Sequence, residues 1–192
     1  MTLIETDGED LLAAIRKLLV AKNLVTEAEI AERQQATDNA SPGQGAKMVA
    51  RAWTDPAYKA LMLEDGTKAA EAMNIPMRGM PPLGVLENSD EVHNLIVCTL
   101  CSCYPRAVLG YPPFWYKSAA YRSRAVRDPR GLLGEFRTTL PDTVKIHVVD
   151  STADYRWMVL PKRPAGTEGW SVEQLAAIVR EGDMVGVTVP SV

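Results

Sequence analysis

A chain of 192 residues, 46 % of them hydrophobic, has the length for one domain with an appended arm and enough apolar side chains to bury a core. Its formal net charge of −3, with no basic run interleaved with aromatics, leaves no electrostatic footprint for a phosphate backbone, so nucleic acid is not an expected partner. No run approaches the length of a membrane span, and the acidic start with Glu5, Asp7, Glu9 and Asp10 lacks the basic and apolar regions of a secretion signal; a cytoplasmic location with no membrane contact is expected.

The first half reads as helical. "EDLLAAIRKLLVAK" repeats apolar residues at three- and four-residue spacing, and "TEAEIAERQQA" opens on a Thr26…Glu29 capping box. The Ser/Pro/Gly/Asn cluster "ATDNASPGQGA" then predicts a loop from which an N-terminal arm leaves the body. Asp55-Pro56 has the form of an N-cap followed by proline at the first helical position, with Gly66 in the stretch that ends that helix and a short helix through "TKAAEAMN" after it. Beyond Pro81-Pro82 the pattern changes. "HNLIVC", "VKIHVVD", "YRWMVLP" and "MVGVTVP" read as strands, "FWYKSAAYRSRAVR" as a helix, and Ser171 with Gln174 forms a capping box for a helix "SVEQLAAIVREG" closed by Gly182. Helices and strands are segregated, which predicts an α+β fold.

All three cysteines fall in six residues, Cys98-Thr99-Leu100-Cys101-Ser102-Cys103. So compact a set cannot close the long loops that disulfides stabilise in secreted domains, so the thiols serve chemistry or a metal. Structural zinc needs a second ligand pair, and His93 and His147 do not form one. A thioredoxin-like motif needs a helix starting at its first cysteine; Pro105 and Pro112-Pro113 oppose that, and Cys103 is left over. Three inert cysteines would need shielding from oxidation and metals. The remaining reading adds the backbone: if the amides of Ser102 and Cys103 are deprotonated, Cys98, Cys101, Ser102 and Cys103 supply five ligands. Only a strongly Lewis-acidic, trivalent ion such as cobalt or iron could drive that, and a sixth position would stay open.

These residues carry a resemblance. "VCTLCSC" resembles the metal-binding claw of the nitrile hydratase α-subunit family, "VLGYPPFWYKSAAYRSRAVRDPR" is similar to the stretch that follows the claw, and "YRWMVLPKRPAGTEGW" to its C-terminal signature, a likeness spanning roughly residues 91 to 190. The resemblance implies an N-terminal helical arm over residues 1–45 and a layered α-β-β-α catalytic body over residues 46–192 holding the claw at 98–103. It implies Cys98 as the axial thiolate, with Cys101, Cys103 and the amide nitrogens of Ser102 and Cys103 equatorial, Cys101 as a sulfinate and Cys103 as a sulfenate. Thr99 between the first two cysteines is the variant associated with cobalt, one Co(III) per chain, with iron the alternative. The implied activity is hydration of a small-molecule nitrile to its amide, with Cys103 the catalytic residue, and only together with a β-subunit, present as one chain or as two smaller ones, whose arginines face the oxidised sulfurs.

One departure bears on substrate. Where the family reads Tyr-Pro-Trp-Pro after the claw, this chain reads Tyr104-Pro105-Arg106-Ala107. A guanidinium in place of a flat apolar wall suits a polar, bulky or anionic substrate, so Arg106 and Thr99 are the expected pocket residues. Thiocyanate hydrolase, whose γ-subunit carries a similar claw, resembles the chain at "CYPR", and a nitrile hydratase for a cyano-substituted nucleoside of the toyocamycin type fits too; Arg106 paired with a carboxylate at a subunit interface is the structural alternative. A subunit that carries cobalt or serves structurally without chemistry is the reading from another class. Trp115 and Tyr116 are expected in the core, Arg122, Arg124, Arg127 and Arg130 on a solvated or subunit-facing helix side, and His93 and His147 away from the metal.

Overall fold

The computed structural model describes residues 8–192, and the chain divides into two compact units, residues up to Asn39 and residues from Ala40 onward. The first seven residues of the expected 1–45 arm lie outside the described residues. The first unit is a pair of helices, α1 (Gly8–Ala21) and α2 (Glu27–Asn39). Thr26 caps α2 reciprocally with Glu29: the Glu29 N–H donates to Thr26 Oγ1 and the Thr26 N–H to the Glu29 carboxylate. Neither helix buries a residue, and Leu11, Leu12, Ile15 and Leu18 form an exposed apolar stripe along α1. The loop expected over "ATDNASPGQGA" is largely helical. α2 runs to Asn39 and α3 (Pro42–Thr54) starts at Pro42, because proline at N1 and the extended Ser41 before it begin a new helix within two residues.

In the second unit Asp55 ends α3 and caps α4 (Pro56–Glu64), accepting from the Tyr58 N–H; Asp65 repeats the device for α5 (Gly66–Glu71). Gly66 therefore begins a helix rather than finishing one. Strand β1 (Leu83–Glu87) escaped the sequence pattern, and β2 (Val92–Val97) delivers the chain to Cys98. Helices α6 (Arg106–Leu109), α7 (Phe114–Lys117), α8 (Ala119–Arg127) and α9 (Pro129–Glu135) follow. The helix expected across "FWYKSAAYRSRAVR" is broken at Ser118, whose extended backbone and hydroxyl cap α8 instead. Then come β3 (Lys145–Asp150), β4 (Arg156–Leu160), α10 (Val172–Ile178) and α11 (Glu181–Val185). The reciprocal Ser171–Gln174 cap forms as expected, but α10 stops at Ile178 and Gly182 sits inside α11. The predicted strand "MVGVTVP" does not form: Met184 and Val185 end α11 and the rest is turn and irregular chain, and Asp183 accepts from the Arg180 N–H and the Thr188 hydroxyl, a local closure that outweighs β propensity.

Two parallel pairs carry the body, β1 with β4 and β2 with β3. β2 is buried along nearly its whole length, the run expected of a strand covered on both faces. Parallel register puts Val97 opposite Asp150, so β2 and β3 end together and the cysteine loop leaves from their shared carboxyl edge. The core gathers Met48, Met62, Leu95, Ile96, Met158 and Leu160, all essentially without solvent exposure. Trp115 packs edge-on against Tyr116, Tyr121 and Phe136, with Tyr116 fully buried and Trp115 partly buried against the core, as the sequence suggested. The whole is a mixed α+β fold, and no helix among the described residues is long and apolar enough to cross a membrane.

Candidate metal centre

Past Val97 the chain turns sharply, and the turn brings the three sulfurs together. Cys98 Sγ lies 3.6 Å from Cys101 Sγ, Cys101 Sγ lies 3.3 Å from Cys103 Sγ, and all three fall within 4.8 Å of one another. None is disulfide-bonded; a disulfide would place its sulfurs roughly 2.05 Å apart. Sulfurs at right angles on one ion with bonds of roughly 2.3 Å stand roughly 3.3 Å apart, and at a tetrahedral angle roughly 3.8 Å apart. The observed spacing therefore fits a shared ion, and the donor set of thiolates is that of a soft or borderline transition metal. Among the described residues these cysteines are the one group of three close metal-ligating side chains. Cys98 and Cys103 are buried and Cys101 is exposed.

Proton affinity is split across the cluster. Burial first, then hydrogen bonding to Cys101 and Cys98, pushes the Cys103 thiol up to about 12, while the Arg156 charge pulls against it. Cys101 is lowered by the Cys103 and Cys98 sulfurs and by the Ser102 and Cys103 backbone amides, which already face its sulfur. An ion that binds all three thiolates must displace protons, so uptake is coupled to proton release.

The loop is held from four sides. Asp150, at the end of β3, accepts from the Thr99 N–H at 3.0 Å and from the Thr99 hydroxyl. Tyr116 Oη donates to the Cys103 carbonyl at 2.9 Å, and Tyr121 Oη to the Ile96 carbonyl at 2.6 Å. Burial raises both phenols, and Tyr104 with them, so all three remain protonated donors; Tyr104 Oη donates to Glu181 at 2.7 Å. From α8, Arg122 Nη1 reaches the carbonyls of Leu100 at 2.9 Å and Thr99 at 3.3 Å.

A cleft of about 390 Å³ opens over Cys101, Ser102 and Cys103, walled by Met77, Met80, Leu83 and Val108 and by two guanidinium groups, Arg106 and Arg156. Arg106 sits over the Tyr111 ring with its Cζ 5.2 Å from the centroid. Arg156 Nη1 is buried and has no hydrogen-bond partner. Among the described residues the orphaned buried side-chain donors are Arg156 Nη1 and Arg122 Nε, both on arginines tied to this cluster. Of the sequence-predicted residues, Cys101, Ser102, Cys103 and Arg106 share the cleft, and Cys98 lies buried beneath it. Thr99 does not line it, because its hydroxyl is committed to Asp150. Sequence reasoning missed Arg156, whose place opposite Leu83 depends on the unrecognised β1, and misjudged Arg122, which faces the loop rather than solvent alone. His93 and His147 lie apart, on Asn88, Gly186 and Asn94.

The model of the nitrile hydratase alpha chain matches residues 6–188. The low-molecular-weight cobalt-containing nitrile hydratase subunit alpha of Rhodococcus rhodochrous is 49 % identical over 179 residues, covering 93 % of this chain and 86 % of the relative. The thiocyanate hydrolase subunit gamma of Thiobacillus thioparus is 41 % identical over 196 residues, covering 96 % of this chain and 81 % of that one. A recombinant thiocyanate hydrolase with partially modified cobalt centres superposes with a TM-score of 0.82 at 41 % identity, covering 97 % and 91 % of the two chains. By length of match and by identity, the chain belongs to the nitrile hydratase alpha-chain family.

Proposed function

We propose that this chain is the metal-binding subunit of a cobalt nitrile hydratase that hydrates a polar or bulky nitrile to its amide in complex with a β-subunit. The single observation carrying the proposal is the three-sulfur loop flooring a cleft that also presents Arg106 and Arg156, in a chain 49 % identical to a cobalt-containing alpha subunit. The donor set of Cys98, Cys101 and Cys103 with the Ser102 and Cys103 amide nitrogens suits a trivalent ion, which would supply Lewis acidity toward the nitrile nitrogen.

The chain's own residues do the rest. The cleft admits the nitrile and sheds its water against Met77, Met80 and Leu83. Cys103, as its sulfenate, provides the attacking oxygen or activates the water that does so. One C–O bond forms at the nitrile carbon, the C≡N bond order falls, and the two protons of one water finish on nitrogen as the amide NH2; where the sulfenate oxygen is the one transferred, its S–O bond breaks and the oxygen of that water replaces it on sulfur. Arg156, with its Nη1 free, offsets the negative charge that oxidised sulfur brings into a buried site. Leu100, Tyr111 and Phe114 are 86 %, 63 % and 87 % exposed around the loop, apolar surface that fits the expectation of a partner chain completing the site.

Thiocyanate hydrolysis is the second reading, favoured by Arg106 in the cleft and by the likeness to the thiocyanate hydrolase gamma subunit. The complex purified with its co-expressed partners should contain one cobalt per chain and form amide from polar nitriles. Carbonyl sulfide release from thiocyanate, without amide formation, would establish the second reading instead. Cobalt retained with no turnover on either substrate would identify a carrier subunit.

A further inference from the structure

The carbonyl of Leu100 and the N–H of Cys101 belong to one rigid peptide unit. Both ends of that unit are engaged: Arg122 Nη1 donates to the Leu100 oxygen at 2.9 Å, and the Cys101 N–H donates to Cys98 Sγ at 3.3 Å. The same Nη1 holds the preceding carbonyl, Thr99 O, at 3.3 Å. Arg122 is half-buried on α8, and its helix is anchored to the strand before the loop by the Tyr121 hydroxyl on Ile96. Its Nε is buried without a partner, so the side chain accepts an unsatisfied donor in order to stay in this position.

We propose that Arg122 is a positioning residue for the metal centre, acting on Cys98 through the Leu100–Cys101 peptide. The inference rests on the reading of the cysteine loop as a cobalt site. The charged donor fixes the orientation of the peptide plane and polarises it, so that the N–H at its far end is a stronger donor to sulfur. A thiolate that accepts such a bond keeps its lone pairs lower in energy and gives less charge to the ion. Arg122 pins two successive carbonyl oxygens, and with the second peptide so held its Cys101 N–H stays on the Cys98 sulfur. Outer partners of this kind commonly alter metal affinity by about 10- to 100-fold.

The test uses the assembled complex prepared without metal. Co2+ is titrated into it, and the sulfur-to-cobalt charge-transfer absorption is recorded for the parent, Arg122→Met and Arg122→Lys. Arg122→Met should weaken Co2+ binding about 10-fold, because the loop loses its preset geometry, and move the band to longer wavelength, because a sulfur relieved of its hydrogen bond gives up charge more easily. Arg122→Lys, which can still donate to one carbonyl, should recover part of both. The thermal midpoint of the metal-free complex should stay with the parent. Parental affinity and an unmoved band in either variant overturn the inference, and so does a lower midpoint with binding and band unchanged, which marks a purely structural role. If Arg122→Met does not assemble, Arg122→Lys decides by the same two readings. A parent complex with no sulfur-to-cobalt band overturns the cobalt reading itself, whereas a parental band that the variants leave in place overturns only the role of Arg122.

Discussion

The carboxylate of Asp150 accepts two hydrogen bonds from Thr99, one from its main-chain N–H and one from its hydroxyl. The pair exists because Val97 and Asp150 are register partners at the end of β2 and β3, so the first residue beyond Cys98 comes within reach of the last residue of β3. Both residues are exposed, so the bonds contribute only about 1 kcal/mol to stability. Their larger effect is on the loop. Asp150→Ala should lower the Co2+ affinity of the metal-free complex about 10-fold, and Thr99→Ser, which keeps both donors, should stay near the parent. Equal affinities in a Co2+ titration of Asp150→Ala and the parent would refute this.

Arg156 lines the cleft together with Cys101, Ser102 and Cys103, with a buried Nη1 that none of the described residues satisfies. A buried orphan donor is costly unless it finds an acceptor, and under the proposed function that acceptor would be substrate or oxygen carried on a cysteine sulfur. Arg156→Met should therefore reduce kcat of the loaded complex about 10- to 100-fold with little change in KM. Steady-state kinetics on one polar nitrile checks it; a rise in KM at unchanged kcat would assign Arg156 to substrate binding instead.

The local signals in the sequence were those that act over three or four residues. Thr26…Glu29, Ser171…Gln174 and Asp55-Pro56 each satisfy main-chain donors from side chains nearby, and each forms the predicted cap. Strand β1 was hidden because "LGVLE" is short and carries Gly84, where an added Cβ would fall 2.4 Å from the Trp157 ring; the strand exists through tertiary packing. In "MVGVTVP" the β-branched residues argued for a strand, but the Arg180…Asp183 cap and the Thr188 hydroxyl act first. The cysteine spacing foretold a coordination loop. The arginines around it were illegible, since Arg122 and Arg156 lie 19 and 53 residues beyond Cys103 and only the packing of α8 and β4 brings them back.

Arg106 gives a test of selectivity. Its guanidinium covers the Tyr111 ring at the cleft wall, and a cation held there favours ligands with negative or strongly polar ends. Arg106→Leu should lower kcat/KM for thiocyanate or a carboxylate-bearing nitrile and raise it for a small apolar nitrile, changing their ratio by about 10-fold or more. Parallel assays of the two substrates decide; an unchanged ratio would place Arg106 outside substrate recognition.

His93 offers a stability test independent of the metal. Its ring is buried between Asn88 and the Gly186 carbonyl, 2.7 Å from Nε2. Asn88 Oδ1 is occupied by Asn94, so the Asn88 amide donates to Nδ1 and the neutral ring donates from Nε2. Burial holds the His93 pKa below its usual 6.5, against the pull of the Gly186 carbonyl. The unfolded chain then binds a proton that the folded chain refuses, so the stabilisation is complete above pH 6.5 and declines as pH falls from there toward the lower folded value. For one proton the slope is at most about 1.4 kcal/mol per pH unit. Protonation would place an N–H on Nδ1 against the Asn88 amide donor, whose Oδ1 is already held by Asn94, while the Gly186 carbonyl would go on accepting from Nε2, so the unfavourable contact of the charged ring is the one to Asn88. Guanidinium unfolding of the metal-free complex between pH 8 and 5 should show this loss, and His93→Gln should flatten it. An identical pH slope in the two proteins would remove His93 as its source.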